Sequence, residues 1–284
     1  LTRFLFLLLL PLVPVVQLRL EAAAGTTAVG EGRIYLTTAR EVRRFAPGFE
    51  DLMADLYWLR TVQYFGAQRG FAPDPHYELL RPLIDITTGL DPRFELAYRY
   101  GAVFLSETRP LGAGKPAEGI EVLEQGARQL PNSWRLRWDL GSFWFIFMKS
   151  PKNAAEVLVD ASKIPGAPYW LETLAGRFLM GDDRNAARAI WHRQYETGAG
   201  LMRENAAYHL QVLDALDARD ALNAQVDAFR ESHQRSPRDL QELVSAGALR
   251  EIPVDPSGTA FAYDPETGKV AIARKSRLWR LKYE

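Results

Sequence analysis

Between residues 47 and 234 the chain is a succession of apolar segments of helix length, each closed by turn chemistry. Apolar residues recur at three and four, as in Leu52, Leu56, Leu59, Val62 and Phe65, which is the period of a helix face. The breaks fall at Gly70 with Pro73 and Pro75, at Gly89 to Pro92, at Pro110 to Pro116, at Pro131-Asn132, at Pro165 to Pro168, at Gly181 to Asp183 and at Gly198 to Gly200. Each segment between them runs roughly 12 to 20 residues, and no alternating strand pattern interrupts them. Such a chain folds as stacked or bundled helices.

The spacing of one glycine separates a stack from an irregular bundle. YWLRTVQYFG ends at Gly66, FELAYRYG at Gly101, WRLRWDLG at Gly141 and YWLETLAG at Gly176, at intervals of 35, 40 and 35 residues. Seven positions before each glycine stands Leu59, Phe94, Trp134 or Tyr169, always large and apolar. Phe104, Trp144 and Leu179 stand three places after the last three of them, where the first has Arg69.

On these residues the chain resembles the tetratricopeptide-repeat (TPR) family, which repeats a helix–turn–helix unit about every 34 residues. A small residue lies where the paired helices of that family come closest, because a Cβ there would hold them apart. The family often ends a repeat with proline, matched here by Leu90-Asp91-Pro92 and Leu130-Pro131-Asn132. The family's Trp-x-x-Leu-Gly start is never complete, and the 40-residue interval implies an insertion near Leu111-Gly112-Ala113-Gly114. The resemblance implies a mainly α fold, an α-solenoid of about five antiparallel helix pairs over 47–235. Its second helices are expected at Tyr77–Thr88, Pro116–Gln129, Asn153–Lys163 and Asn185–Thr197, with a fifth pair at Leu201–Leu216 and Ala218–His233. Gly66, Gly101, Gly141 and Gly176 are the expected helix-contact glycines.

The N-terminal block, 1–24, holds the apolar run Phe4 to Val16, preceded by Arg3. Two processing routes compete. Ala22-x-Ala24 offers the small residues of a signal-peptidase site. Against cleavage, Leu18 and Leu20 extend the run and Arg19 has the reach to snorkel, so the segment is read as a signal anchor, with Leu5, Phe6, Leu8, Leu9, Leu12, Val15 and Val16 in lipid. Thirteen residues span about 20 Å as a helix, short of the roughly 30 Å hydrocarbon core, and Pro11 and Pro14 limit regular helix further. Arg3 before the run predicts the N-terminus inside and the body outside, in the periplasm if the cell is bacterial. Residues 25–46 read as a linker, in which Thr37 or Thr38 caps a helix beginning at Ala39-Arg40-Glu41.

Residues 236–284 change character. Ser236 and Pro237 open a short helix carrying Leu240, Leu243 and Val244. A turn-rich arm, Ile252 to Gly258, leads to two strands, Ala260–Tyr263 and Lys269–Ala273, joined by Asp264 to Gly268. Through Leu240, Leu243, Pro253, Asp255, Pro256, Gly258, Tyr263 and Gly268 this block resembles the C-terminal helix–hairpin module of pseudopilins, whose loop can hold calcium. Two acids fall far short of the six to eight oxygens a calcium ion takes, so Asp255 and Asp264 are read as turn residues and no metal is assigned. The tail from Arg274 to Lys282 mixes basic residues with Leu278, Trp279 and Leu281, which suits docking on the solenoid, a partner or a membrane interface.

The chemistry of enzymes is sparse. There is no cysteine, which removes thiolate nucleophiles, thiolate zinc sites and iron–sulfur clusters. His76, His192, His209 and His233 form no close ligand pair, and no nucleophile elbow or phosphate loop is present. Lys+Arg and Asp+Glu number 35 each, so no global charge favours nucleic acid. The chain is therefore read as a non-enzymatic scaffold without cofactors, an accessory subunit of a membrane complex that binds integral membrane proteins. Tyr57, Tyr64, Tyr98 and Trp279 are the expected contact residues. A biogenesis factor for a secretion or pilus machine and a small-ligand or glycan-binding solenoid are the alternatives.

Overall fold

The computed structural model describes residues 38–71 and 74–279. The described residues form eleven helices and one two-stranded hairpin. They fall into two compact units that divide between Phe143 and Trp144. The anchor residues Leu5, Phe6, Leu8, Leu9, Leu12, Val15 and Val16 lie outside the described residues. Among the described residues no helix is long and apolar enough to cross a membrane.

The first unit begins with α1 (Ala39–Phe45). Thr38 caps it as a full capping box: its hydroxyl accepts from the Glu41 amide at 3.2 Å, and its own amide donates to the Glu41 carboxylate at 3.1 Å. Then follow α2 (Glu50–Phe71), α3 (Leu80–Leu90), α4 (Glu95–Ser106), α5 (Pro116–Gln129) and most of α6 (Trp134–Ile146). The closest packing is α2 on α3 and α4 on α5, with α3 also on α4. This packing of chain neighbours is compatible with a helical repeat.

Beneath the α2–α4 junction the rings of Trp58, Phe104 and Phe65 stack in sequence, and Phe65 continues to Tyr77. Tyr77 lies ahead of α3, although Tyr77–Thr88 was expected to be helical. The backbone there is captured instead: the His76 amide donates to Gln68, the Tyr64 hydroxyl donates to the His76 carbonyl, and the Tyr77 hydroxyl donates to the Pro110 carbonyl. The expected insertion is a loop folded back on α4, where the amides of Ala113, Gly114 and Lys115 donate to the carbonyls of Phe104, Glu107 and Leu105.

Two glycines that the repeat pattern did not single out bring α5 onto α4. A Cβ on Gly126 would stand 2.7 Å from Cγ of Tyr98, and one on Gly119 would stand 2.9 Å from the Ala102 carbonyl oxygen. Of the expected contact glycines, Gly101 meets Ile84 of α3, where a Cβ would come within 2.9 Å. Gly141 is buried. Gly66 is a correction: it is exposed, and a Cβ there would have no neighbour within 4 Å. Among the described residues it meets no other helix.

The second unit holds the end of α6, then α7 (Pro151–Ser162), α8 (Trp170–Leu179), α9 (Arg184–Thr197), α10 (Leu201–His233), α11 (Leu240–Ser245), β1 (Ala262–Asp264) and β2 (Lys269–Ala271). Here α7 packs closely on α8, α8 on α9 and α9 on α10. Asp183 caps α9 by accepting from the Ala186 amide. Gly176 of α8 receives the indole of Trp191, and a Cβ there would lie 2.8 Å from the ring.

The expected fifth pair is a single helix of 33 residues. The junction Leu216-Asp217-Ala218 has neither glycine nor proline, and Asp217 is held by Arg184 at 2.9 Å and Arg188 at 2.6 Å of α9 instead of capping a second helix. The far half of α10 carries the C-terminal block. Leu222, Val226 and Phe229 pack with Leu240, Leu243, Phe261 and Val270. The Asn223 side chain pairs with β2 as a strand would, donating to and accepting from the Val270 backbone. β1 and β2 are antiparallel, with Tyr263 opposite Val270. The cap of α11 is Asp239, which accepts from the Glu242 amide, and not Ser236.

Gly66 and Gly126 give opposite expectations. Gly66→Ala should raise stability by about 1 kcal/mol, because the site is open and helical. Gly126→Leu should lower it by about 1–3 kcal/mol, because the side chain would enter the Tyr98 ring. Urea unfolding of the two variants checks both signs.

Candidate protein-binding surface

The apolar residues of α2 occupy both sides of the helix. Ala54, Tyr57, Tyr64 and Phe65 are buried. The opposite side leaves Leu52, Leu56 and Leu59 half exposed, at 53, 50 and 53%, with Val62 beside them and Phe49 ahead of them. On neighbouring α4, Leu96, Tyr100 and Val103 are exposed at one-turn spacing. The first unit therefore shows two apolar rows, one on α2 and one on α4, on the helices that share the Trp58–Phe104–Phe65 stack. Exposed apolar rows of this kind are candidate partner-binding surface. The sequence carries a signal for it: α2 has more apolar residues than one buried face can hold.

The tyrosines expected as contact residues are buried. Tyr57 and Tyr64 are 8% exposed and Tyr98 is fully buried. Tyr98 lies in the α4–α5 seam against Gly126 and its hydroxyl donates to the Pro92 carbonyl, while Tyr64 holds the His76 segment. Burial pushes the Tyr98 hydroxyl pKa up to about 12. Exposed Tyr100, two residues on, has the accessibility assigned to Tyr98.

Trp279 is 39% exposed, with the Arg274 guanidinium 5.9 Å from its ring. The tail before it docks on its own unit: Leu278 is fully buried, Arg277 donates to Gln211, and the Arg277 carbonyl accepts from Tyr208. Asp255 anchors this docking. Its carboxylate accepts from the amides of Ser257 and Thr259 and from the hydroxyls of Ser257 and Ser276. Burial works to raise the Asp255 pKa, but the hydrogen bonds from Ser257, Ser276 and Thr259 outweigh it and hold the carboxyl below its ordinary range. Asp264 likewise accepts from the Thr267 hydroxyl and the Glu266 amide within the hairpin loop. Both acids shape turns. Among the described residues no group of three or more acids or histidines is placed to hold a metal ion.

His209 is the one buried histidine among the described residues. Its ring stacks on Trp191 at 4.1 Å, and among the described residues neither its Nδ1 nor the Trp191 Nε1 has a hydrogen-bond partner. Burial, with the positive charge of Arg177 adding to it, pulls the imidazole pKa from 6.5 down to about 4. A shallow groove of about 550 Å³ lies between α7 and α9, floored by Ala155, Val159, Ala186 and Ile190 and carrying Lys152 and Glu156.

No protein-family model matches the chain, and comparison with curated proteins and with solved structures yields no match either.

Two measurements follow from the buried polar groups. Folded His209 takes up its proton only near pH 4, whereas the unfolded chain does so near 6.5, so stability present at neutral pH is lost as the pH falls through that window. The loss should reach about 3 kcal/mol. His209→Phe, which keeps a ring on Trp191, should flatten the difference between melts at pH 7 and pH 4.5. Asp255→Ala should cost about 2–4 kcal/mol by leaving buried donors unpaired, and should release the tail to proteolysis at Arg277.

Proposed function

We propose that the chain is a non-enzymatic, TPR-like scaffold, held at a membrane by its N-terminal apolar run and binding other proteins of a membrane complex on the extracytoplasmic side. The observation that carries this reading is the pair of exposed apolar rows, Leu52, Leu56, Leu59 and Val62 on α2 with Leu96, Tyr100 and Val103 on α4. A repeat scaffold offers residues on its helix faces that vary without harming the stack, and these rows lie outside the packing that holds α2 and α4 in place. Three observations support the repeat reading: α2–α3, α4–α5 and α8–α9 pack as neighbouring pairs, Gly101 and Gly176 lie at close approaches, and the interval anomaly falls on the loop after α4. The fused α10 and exposed Gly66 mark where the chain departs from a regular repeat.

A second reading, a biogenesis factor for a secretion or pilus machine, draws on the resemblance read from Leu240 to Gly268, and the helix–turn–hairpin order of 240–271 is compatible with it.

The test is a mild-detergent pulldown of the full-length chain, with mass spectrometry of the bound proteins and of its own N-terminus. Retention of integral membrane proteins at fixed ratio, with the N-terminus intact, is the expected result. Leu56→Asp combined with Tyr100→Asp should reduce that retention by at least about tenfold, the effect of losing a small number of central apolar contacts. Its melting temperature should stay within a few degrees, because both side chains already face water. Equal retention by the double variant would show that the rows are not the docking surface.

A further inference from the structure

From Lys269 to Tyr283 the sequence has six basic residues and no acidic one, in a chain that carries 35 charges of each sign. Three of the six follow β2 as a built feature. Two consecutive turns shape the segment, closed by the Ser276 amide on the Ala273 carbonyl and by the Trp279 amide on the Ser276 carbonyl. They turn Ser276 and Leu278 inward and leave Arg274, Lys275, Arg277 and Trp279 exposed. The inward side is pinned: the Ser276 hydroxyl donates to Asp255 and accepts from the Leu278 amide. The cations therefore stand on a ridge that is ordered before anything binds, which lowers the entropy lost on binding.

None of the three cations on the ridge is neutralised by an acid among the described residues. Arg277 donates to the neutral amide of Gln211 at 2.9 Å, and the Arg274 guanidinium lies 5.9 Å from the Trp279 ring. Lys275 forms no ion pair among the described residues. In contrast, the arginines of α9 beside the same helix, Arg184 and Arg188, are each held by two aspartates of α10. An indole set among unpaired cations suits a bilayer interface, where the ring lies at the boundary between headgroups and acyl chains and the cations meet lipid phosphates. The sequence beyond the ridge, Arg280-Leu281-Lys282, continues the basic–apolar mixture.

We infer that the ridge of Arg274, Lys275, Arg277 and Trp279 is a membrane-surface contact that takes the phosphate headgroups of an anionic bilayer. This rests on the proposal that the N-terminal apolar run holds the chain at a membrane, which keeps the ridge at high effective concentration near lipid.

The test adds the full chain to preformed vesicles of neutral phosphatidylcholine, or of phosphatidylcholine with phosphatidylglycerol. Flotation reports binding, and chymotrypsin cleavage after Trp279, followed by mass spectrometry, reports the ridge. Anionic vesicles should slow that cleavage at least about tenfold relative to neutral ones at low salt, and high salt should remove the difference. Arg274→Gln combined with Lys275→Gln should cancel most of the slowing, because each cation near an anionic surface strengthens binding by about fivefold. Its melting temperature should match the parent's, since both side chains are exposed. Equal cleavage on the two kinds of vesicle overturns the inference, as does protection by double-stranded DNA without protection by anionic lipid. A chain that floats with both vesicles and is cleaved equally keeps its anchor and loses the ridge contact. A chain that floats only with anionic vesicles, and is protected there, keeps the ridge contact and loses the anchor.

Discussion

Both units depend on an aromatic ring laid against helix backbone at a glycine. In the first, Tyr98 of α4 occupies the place where Gly126 of α5 has no side chain, and Gly119, two turns earlier on the same helix, clears the backbone of Ala102. In the second, Trp191 of α9 fits over Gly176 of α8 and stacks on His209 of α10, so one indole joins three consecutive helices. These contacts bury large rings completely at close interhelical distance, where packing is sensitive to a single methyl group. The surrounding ion pairs, such as Arg184 and Arg188 with Asp214, Asp217 and Asp220, are partly exposed and set register more than stability.

The helical class, the capping residues Thr38 and Asp183, the proline start at Pro116 and the hairpin of 262–271 are all legible in the sequence because each rests on a local rule. What is not legible is which side of a helix is covered. α2 is apolar on two faces, and periodicity alone cannot say whether Leu56 or Tyr57 goes inward. The chain buries the face that carries polar anchors, Tyr64 and Gln68, because those side chains find backbone partners in the segment before α3. The misassigned tyrosines have the same origin. Tyr64 and Tyr98 are buried with hydroxyls that donate to the His76 and Pro92 carbonyls, partners that helix periodicity does not reveal.

The break expected in α10 illustrates the opposite error. A polar cluster, Asp214 to Asp220, has the composition of a turn with an N-cap. Its acids are drawn sideways to the arginines of α9, and with no glycine or proline present the helix runs on. Turn composition without a backbone breaker is weak evidence when a row of opposite charge lies on the adjoining helix.

The continuity of α10 has a mechanical meaning. At 33 residues it is a beam about 50 Å long. Its first half takes the weight of α9 through Trp191 and the arginine–aspartate network, and its second half takes the hairpin through Leu222, Val226 and Asn223. The tail returns to the first half at Gln211 and Tyr208. A load applied at the hairpin therefore has two routes back to the helices that precede it, one along the beam and one through the tail, which braces the C-terminal block as a strut braces a cantilever.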